Sequence, residues 1–393
     1  MKRIAVLGST GSIGRAALEV IRHLGPPYRV WALSANSSWQ LLAEQVREFG
    51  PERVVLGDER HAEAMRREMG RMARAGRRPA PVLFVGKKAL EDAAAAPEAD
   101  VVLLAVVGAA GLPPAVAAVK AGKMLAIANK EPLVMAGDLI MRLARKTGAR
   151  ILPVDSEHSG VMQAMRSGAR KEVRRIIITA SGGPFYNLPA EKIRNATRAQ
   201  ALAHPTWKMG DKITIDSATM MNKALEIIEA KWLFGLRPDQ IEVVIHPQSV
   251  VHAVVEFCDG AMVAQVAAPD MKLPIQFALT HPERLDGVAG AINLAATSAL
   301  TFIAPDAERF PALKLGYQAA REGGTMGAVL SAANEVAVDA FLNDRLPFGG
   351  IVEAVGRVMA SHRVKPRPTL VQVLEADRWA RAEAQKIIGK VVG

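Results

Sequence analysis

Three carboxylates mark the middle of the chain: Asp155, Glu157 and Glu226. Oxygen ligands of this kind hold a hard divalent cation. Around them stand groups that donate to phosphate oxygens. Ser156 lies between the first two acids, Ser181 opens Ser181-Gly182-Gly183, and Ser217, Asn222 and Lys223 fall in the run from Asp216 to Glu226. Hydroxyl, amide and ammonium groups are the partners such oxygens seek. A cation site beside an anion site describes a small phosphorylated compound with chelating oxygens. His204, in His204-Pro205-Thr206-Trp207-Lys208-Met209-Gly210, adds a titratable ring and a nearby aromatic in a glycine-ended loop. That composition suits a lid that closes over substrate and excludes water. Lys130, within Asn129-Lys130-Glu131, puts a further cation after an apolar run.

The elements that must position these groups follow from local pattern. Asp155-Ser156-Glu157 follows Ile151-Leu152-Pro153-Val154 and is expected at the C-terminal end of a strand, where open α/β sheets bind ligands. Alternate strand residues point one way, so Asp155 and Glu157 would face one ion, with Ser156 opposite. Ser181-Gly182-Gly183 follows the strand candidate Ile176–Thr179 and offers backbone N–H groups to an anion. After Ser217, the residues Met221, Leu225, Ile228 and Trp232 recur at helical spacing as a core stripe. Asn222, Lys223 and Glu226 project from the other side, with Ser217 at the N-cap position and Gly235 at the stop. Taken alone, such a face is an ordinary solvated one. The neighbouring strand ends turn the reading toward a site. His246-Pro247-Gln248-Ser249 reads as a structural turn.

A nucleotide signal lies at the start. Gly8-Ser9-Thr10-Gly11-Ser12-Ile13-Gly14 follows the apolar run Ile4–Leu7 and opens a helix expected from about Ser12 to Arg22. Its glycines permit a tight turn, and the helix N-terminus offers free N–H groups and a positive dipole to a pyrophosphate. After the second strand candidate, Val30–Leu33, comes Ser34-Ala35-Asn36-Ser37-Ser38, without the acid that commonly accepts the ribose 2′-OH of NAD. Asn36 and Ser38 offer amide and hydroxyl donors, so NADP(H) is favoured. No Lys or Arg lies between Arg29 and Arg47, so the expected local cation is missing.

The wider pattern is α/β. Apolar runs at Ile4–Leu7, Val30–Leu33, Val54–Leu56, Val82–Val85, Val101–Val106 and Met124–Ala128 alternate with helical stretches, which predicts a Rossmann-like parallel sheet. Ile241–Ile245 and a hairpin of Val250–Phe257 with Ala261–Ala267 about Asp259-Gly260 predict a mixed sheet in a second, α+β domain. Helices expected at Leu313–Glu322, Gly327–Leu342, Phe348–Ser361 and Thr369–Val391 predict a C-terminal bundle. The expected division is a cofactor domain over residues 1–150, a metal- and substrate-binding domain over 151–290, a linker over 291–311 and a helical domain over 312–393.

Composition narrows the function classes. The 393 residues are 50% hydrophobic and 23% charged, which fits a folded protein and argues against disorder. One cysteine, Cys258, excludes an intrachain disulfide and a Cys-based zinc site. Of the net charge of +11, much sits at Arg66, Arg67, Arg71, Arg74, Arg77 and Arg78, a solvated helix face and loop without interleaved aromatics. Nucleic-acid binding is therefore not expected, and anionic substrates explain the basic balance. The uncharged run from Val101 to Val119 is broken by Gly108, Gly111, Pro113 and Pro114, so no membrane span is expected. The chain is expected in the cytoplasm, since no targeting segment precedes its first strand.

Together these motifs resemble one family. Gly8 to Gly14, Asn129-Lys130-Glu131, Asp155-Ser156-Glu157-His158, Ala180 to Phe185, His204-Pro205, Asp216 to Glu226 and the C-terminal Ala333-Asn334-Glu335-Val336-Ala337 look like 1-deoxy-D-xylulose 5-phosphate reductoisomerase, and the resemblance spans essentially the whole chain. It implies that Asp155, Glu157 and Glu226 ligate Mg²⁺ or Mn²⁺. It implies that Ser181, Ser217, Asn222 and Lys223 bind the substrate phosphate with His204 close by, and that Lys130, Ser156 and Glu157 contact its hydroxyl and keto oxygens. Thr10, Gly11, Ser12, Ile13, Asn129, Glu131 and Gly210 would touch NADPH, and the protein would be a homodimer. The implied reaction cleaves and re-forms a carbon–carbon bond and then reduces a branched aldehyde to 2-C-methyl-D-erythritol 4-phosphate. Family members commonly carry Gly, Lys or Arg near positions 36 to 38, where this chain has Asn36-Ser37-Ser38. The competing readings are a metal-independent NADP-dependent dehydrogenase of a phosphorylated metabolite and a non-catalytic cofactor-binding homologue.

Overall fold

Seven short, apolar strands form the first sheet: β1 (Lys2–Leu7), β2 (Tyr28–Ala35), β3 (Arg53–Leu56), β4 (Val82–Val85), β5 (Val101–Leu104), β6 (Met124–Ile127) and β7 (Arg150–Pro153). The computed structural model describes residues 1–74, 81–207, 209–297 and 299–392, so Arg77 and Arg78 of the basic run lie outside the described residues. Every neighbouring pair in the sheet is parallel, in the order β4-β3-β2-β1-β5-β6-β7. Parallel strands need crossovers, and helices such as Ser12–Leu24 and Trp39–Phe49 supply them. Strand order reverses between β1 and β5, the kind of switch point at which such sheets bind ligands. Strands β1, β5 and β6 are buried almost throughout, as continuous apolar runs require.

The second sheet is mixed. Strands β8 (Val173–Ala180), β9 (Ile241–Ile245), β10 (Val251–Phe257) and β11 (Met262–Val266) lie in the order β11-β10-β8-β9. β10 runs antiparallel to both β8 and β11, whereas β8 and β9 are parallel. The hairpin turns at Gly260, whose φ of 89° suits glycine. C-terminal helices follow at Ala312–Glu322, Met326–Leu342, Phe348–Ala360 and Leu370–Val392. Gly316 lets the first of them approach closely, since a Cβ there would sit 2.6 Å from Ala224 Cα. Fold class, parallel sheet, mixed sheet and terminal helices thus all match the sequence pattern.

The chain forms two compact units. One contains Met1–Asn129, Ile140–Asp155 and Met271–Ala289; the other contains Lys130–Leu139, Ser156–Asp270 and everything from Gly290 onward. In the first, the Lys272–Thr280 helix packs on Ser12–Leu24 beside the parallel sheet. Arg66, Arg67, Arg71 and Arg74 are exposed on the Ala62–Arg74 helix.

Two local expectations are corrected. Asp155-Ser156-Glu157 does not continue a strand. β7 ends at Pro153, and Ser156–Ala164 is helical, with Glu157 in the first turn where an acid suits the helix dipole. Strand alternation therefore does not aim these side chains. Nor is Ser217 an N-cap: it belongs to the Asp211–Ala218 helix, and the next helix, Met221–Phe234, starts after Met220 in the left-handed region at φ 61°. Gly235 does end that helix, at φ 59°.

Candidate active site

The Met221–Phe234 helix holds the centre of the site and is buried on nearly every face. Glu226 is 0% exposed and Lys223 only 3%. The face read as polar is thus interior, and its charges must be matched there. Lys223 Nζ lies 2.8 Å from Glu157 Oε1 and also pairs with Glu226. Lys130 Nζ donates to Glu226 Oε1 at 3.2 Å and to Asn222 Oδ1 at 2.5 Å. Asn222 Nδ2 in turn donates to Glu226 Oε1, and Ser156 Oγ to Glu157 Oε2, each at 2.5 Å. Lys130, Ser156, Glu157, Asn222, Lys223 and Glu226, scattered in sequence, form one polar network. Asp155 is the last residue of the first unit and is joined by one peptide bond to the helix that carries Glu157.

Behind Glu226 lies a layer that sequence reasoning assigned no role. His158 Nε2 donates to the Glu226 carbonyl at 3.0 Å, and its Nδ1 faces Glu229 Oε2 at 3.2 Å; both residues are buried. The one available signal was spacing, since Glu229 lies three residues past Glu226 on the same helix.

A second cluster gathers Ser181, His204 and Ser217. His204 Nε2 lies 3.0 Å from Ser181 Oγ and 3.1 Å from Ser217 Oγ. Its Nδ1 accepts the backbone N–H groups of Thr206 and Trp207 at 3.1 and 2.9 Å. An Nδ1 that accepts carries no proton, so the ring is the neutral Nε2–H tautomer. Burial agrees, because it pushes the imidazole below its ordinary pKa. Gly182 and Gly183 take positive φ after β8, and a Cβ on Gly183 would sit 2.9 Å from Ser217 O. This close approach seats the Ser181 loop against the end of the Asp211–Ala218 helix.

Gly210, expected to touch cofactor, caps that same helix, and its carbonyl accepts from Thr214 Oγ1 at 3.0 Å. Glu131 pairs with Lys212 at 2.9 Å; Lys212 also meets Asp216 at 2.9 Å, and Asn334 Nδ2 donates to Asp216 Oδ1 at 2.7 Å. Burial pushes the Glu131 carboxyl up, but the Lys212 charge and hydrogen bond outweigh it and hold it below the usual range. Lys212 was invisible as a partner because its contact comes from a distant segment.

In the first unit, the Gly8–Gly14 turn is held from below and open above. Gly8 N–H donates to Ser34 Oγ at 2.9 Å, and Ser9 Oγ to Gln45 Oε1 at 2.7 Å. A Cβ on Gly8 would lie 2.5 Å from Ala105 O, and one on Gly14 would lie 2.3 Å from Gly8 O. Gly11 and Ser12 are exposed, with Thr10 and Ile13 half-buried beside them. Asn129 donates to Gly108 O at 2.9 Å, bracing the loop after β5, and Asn36 and Ser38 are exposed after β2.

The family model for 1-deoxy-D-xylulose 5-phosphate reductoisomerase matches residues 4–137. Two models of its C-terminal domains match residues 151–234 and 266–383. The chain belongs to the 1-deoxy-D-xylulose 5-phosphate reductoisomerase family. The reductoisomerase of Pelotomaculum thermopropionicum is 52% identical over 388 residues, covering 99% of each chain. That of Geobacter metallireducens is 50% identical, covering 99% of this chain and all of its own. Among solved structures, the Zymomonas mobilis reductoisomerase in complex with NADPH superposes with a TM-score of 0.91 at 38% identity, covering 98% of this chain and 99% of its own. A reductoisomerase in complex with NADPH, fosmidomycin and magnesium also reaches 0.91 at 38% identity, over 100% of this chain and 99% of its own. This chain carries the carboxylates Asp155, Glu157 and Glu226, the Gly8–Gly14 turn and, after β2, the uncharged Asn36-Ser37-Ser38.

Proposed function

We propose that the chain converts 1-deoxy-D-xylulose 5-phosphate to 2-C-methyl-D-erythritol 4-phosphate, with NADPH as reductant and a divalent cation, Mg²⁺ or Mn²⁺. The observation that carries this reading is the carboxylate pair of half-buried Glu157 and fully buried Glu226, gripped by Lys130 and Lys223. Buried anionic oxygens that already gather cationic groups fit a hard metal ion, and Asp155, two residues from Glu157, completes an oxygen set. The glycine turn fits a dinucleotide, because Gly8 and Gly14 pack closely on backbone while Gly11, with no atom nearer than 3.5 Å to an added Cβ, leaves the helix N-terminus open to a pyrophosphate. When bound, the cation polarises the substrate ketone and lowers the pKa of its neighbouring hydroxyl, and NADPH supplies a hydride.

The remaining work falls to side chains. Ser181, Ser217, Asn222 and Lys223 bind the phosphate, with the His204 Nε2–H as a further donor. Lys130 and Ser156 orient the hydroxyl and keto oxygens, and Lys130 and Glu157 are the groups that hold or move protons there. Phosphate binding away from the reacting carbons supplies energy to close the Trp207 loop over the site. Residues 1–150, 151–290 and 312–393 serve as cofactor, catalytic and helical domains, joined by a linker over 291–311. The protein works as a cytoplasmic homodimer; Met262 and Val266, exposed on the edge strand β11, support association. No helix among the described residues is long and apolar enough to cross a membrane.

The test is NADPH oxidation with 1-deoxy-D-xylulose 5-phosphate, with Mg²⁺ and with chelator. Full turnover in chelator would favour a metal-independent dehydrogenase and overturn the reading. Glu226→Gln is expected to lower kcat at least ~100-fold, the scale of removing a group that acts on developing charge, while NADPH binding holds.

A further inference from the structure

We infer that Arg60 recognises the 2′-phosphate of the dinucleotide, supplying the cation that the turn after β2 lacks. This deepens the cofactor reading above and rests on it. A dinucleotide whose pyrophosphate sits on the Gly8–Gly14 turn places its adenosine ribose over the C-terminal end of β2. That end is Ala35, followed by exposed Asn36, Ser37 and Ser38, which offer hydrogen bonds but no charge.

The neighbouring strand fills the gap. β3 lies beside β2 with Leu56 opposite Ala35. Beyond the strands the two chain segments stay joined: Gly57 N–H donates to Ala35 O and Asp58 N–H to Asn36 O, each at 2.9 Å. A Cβ on Gly57 would lie 2.5 Å from Asn36 Oδ1, so the Asn36 side chain rests directly on this second turn. Arg60 follows two residues after Asp58. Asp58 fixes it twice, accepting the Arg60 backbone N–H at 3.0 Å and gripping the guanidinium at Nε (3.0 Å) and Nη2 (2.7 Å). Asp58 thus engages one edge of the fork. The Nη1 donors lie on its other edge, and the Arg60 side chain is 84% exposed. A permanently charged planar fork, oriented in advance, matches a phosphate dianion.

Other cations fit less well. Arg29 and Arg53 sit at the opposite ends of β2 and β3, and Lys87 and Lys88 follow β4, one strand further out. Arg15, exposed in the first turn of the Ser12–Leu24 helix, is the nearest competitor.

Calorimetric binding of NADPH, NADH, 2′,5′-ADP and 5′-AMP to the full chain tests the assignment, in wild type, Arg60→Gln, Arg60→Lys and Arg15→Gln. Arg60→Gln should weaken NADPH and 2′,5′-ADP about tenfold, the scale of a charged hydrogen bond, and leave NADH and 5′-AMP unchanged. Arg60→Lys should keep part of the preference. An unchanged NADPH-to-NADH ratio in Arg60→Gln would overturn the proposal, as would equal weakening of both. Loss of the ratio in Arg15→Gln with Arg60→Gln intact would reassign the contact. Wild type that binds neither dinucleotide would instead sink the cofactor reading itself.

Discussion

His204 shows how much one ring's hydrogen bonds decide. Its Nδ1 accepts from two backbone N–H groups, and its Nε2 faces two serine hydroxyls. Protonating Nδ1 would forfeit both accepted bonds and loosen the turn that leads to Trp207. Because burial lowers the folded-state pKa, the unfolded chain takes up the proton first. The stabilisation is therefore complete above pH ~6.5, the ordinary histidine value, and is lost as pH falls below it. Substrate KM should rise over the same interval, and a pH series on wild type against His204→Asn checks this. The variant should start with a higher KM and lack the low-pH rise; parallel curves would remove His204 from the phosphate site. Glu226→Gln belongs to the same scale: a single oxygen replaced by an amide removes a charge that Lys130 and Lys223 both answer.

Elements set where such residues can stand. The turn between β1 and the Ser12–Leu24 helix is built on two different kinds of glycine. At Gly14 a Cβ would lie 2.3 Å from Gly8 O and 2.5 Å from Ser9 Cα, both backbone atoms that cannot yield. At Gly11 the nearest atom would be 3.5 Å away. Gly14→Ala should cost about 2 kcal/mol or more of stability in denaturant unfolding, as overpacking does, whereas Gly11→Ala should fold normally and lose NADPH affinity. Most of this layer was legible in sequence, because parallel strands buried on both faces need continuous apolar runs and tight turns need glycine. What was not legible depended on partners from elsewhere. Lys223 and Glu226 look solvated until Glu157 and Lys130 arrive to neutralise them, and Lys212 acquires meaning only from Glu131 and Asp216. Ser156 and Glu157 could be placed near a strand end, but the start of a helix there depends on tertiary packing more than on any run of residues. Met220 in the left-handed region had no signal, since nothing about methionine predicts it.

At the scale of the molecule, sequence order and spatial order part company. The Lys272–Thr280 helix lies in the same unit as β1, and its Ile275, Phe277, Ala278 and Leu279 are buried. Burying Ile275, Phe277 and Leu279 is worth about 1.5–3 kcal/mol each, so a fragment of residues 1–155 should expose an apolar face. It is expected to bind a hydrophobic dye and unfold without cooperativity, while the same fragment joined through a short linker to residues 271–289 should regain a sigmoidal transition; equal behaviour of the two would contradict this. The chain passes between units after Asn129, Leu139, Asp155, Asp270 and Ala289. Two of those passages cut through Asn129-Lys130-Glu131 and Asp155-Ser156-Glu157. Recombination therefore cannot lift out a dinucleotide cassette and replace it without severing two of the segments proposed above to handle substrate. A lineage built this way must change its coenzyme preference in place, by single substitutions on the rim of an inherited sheet.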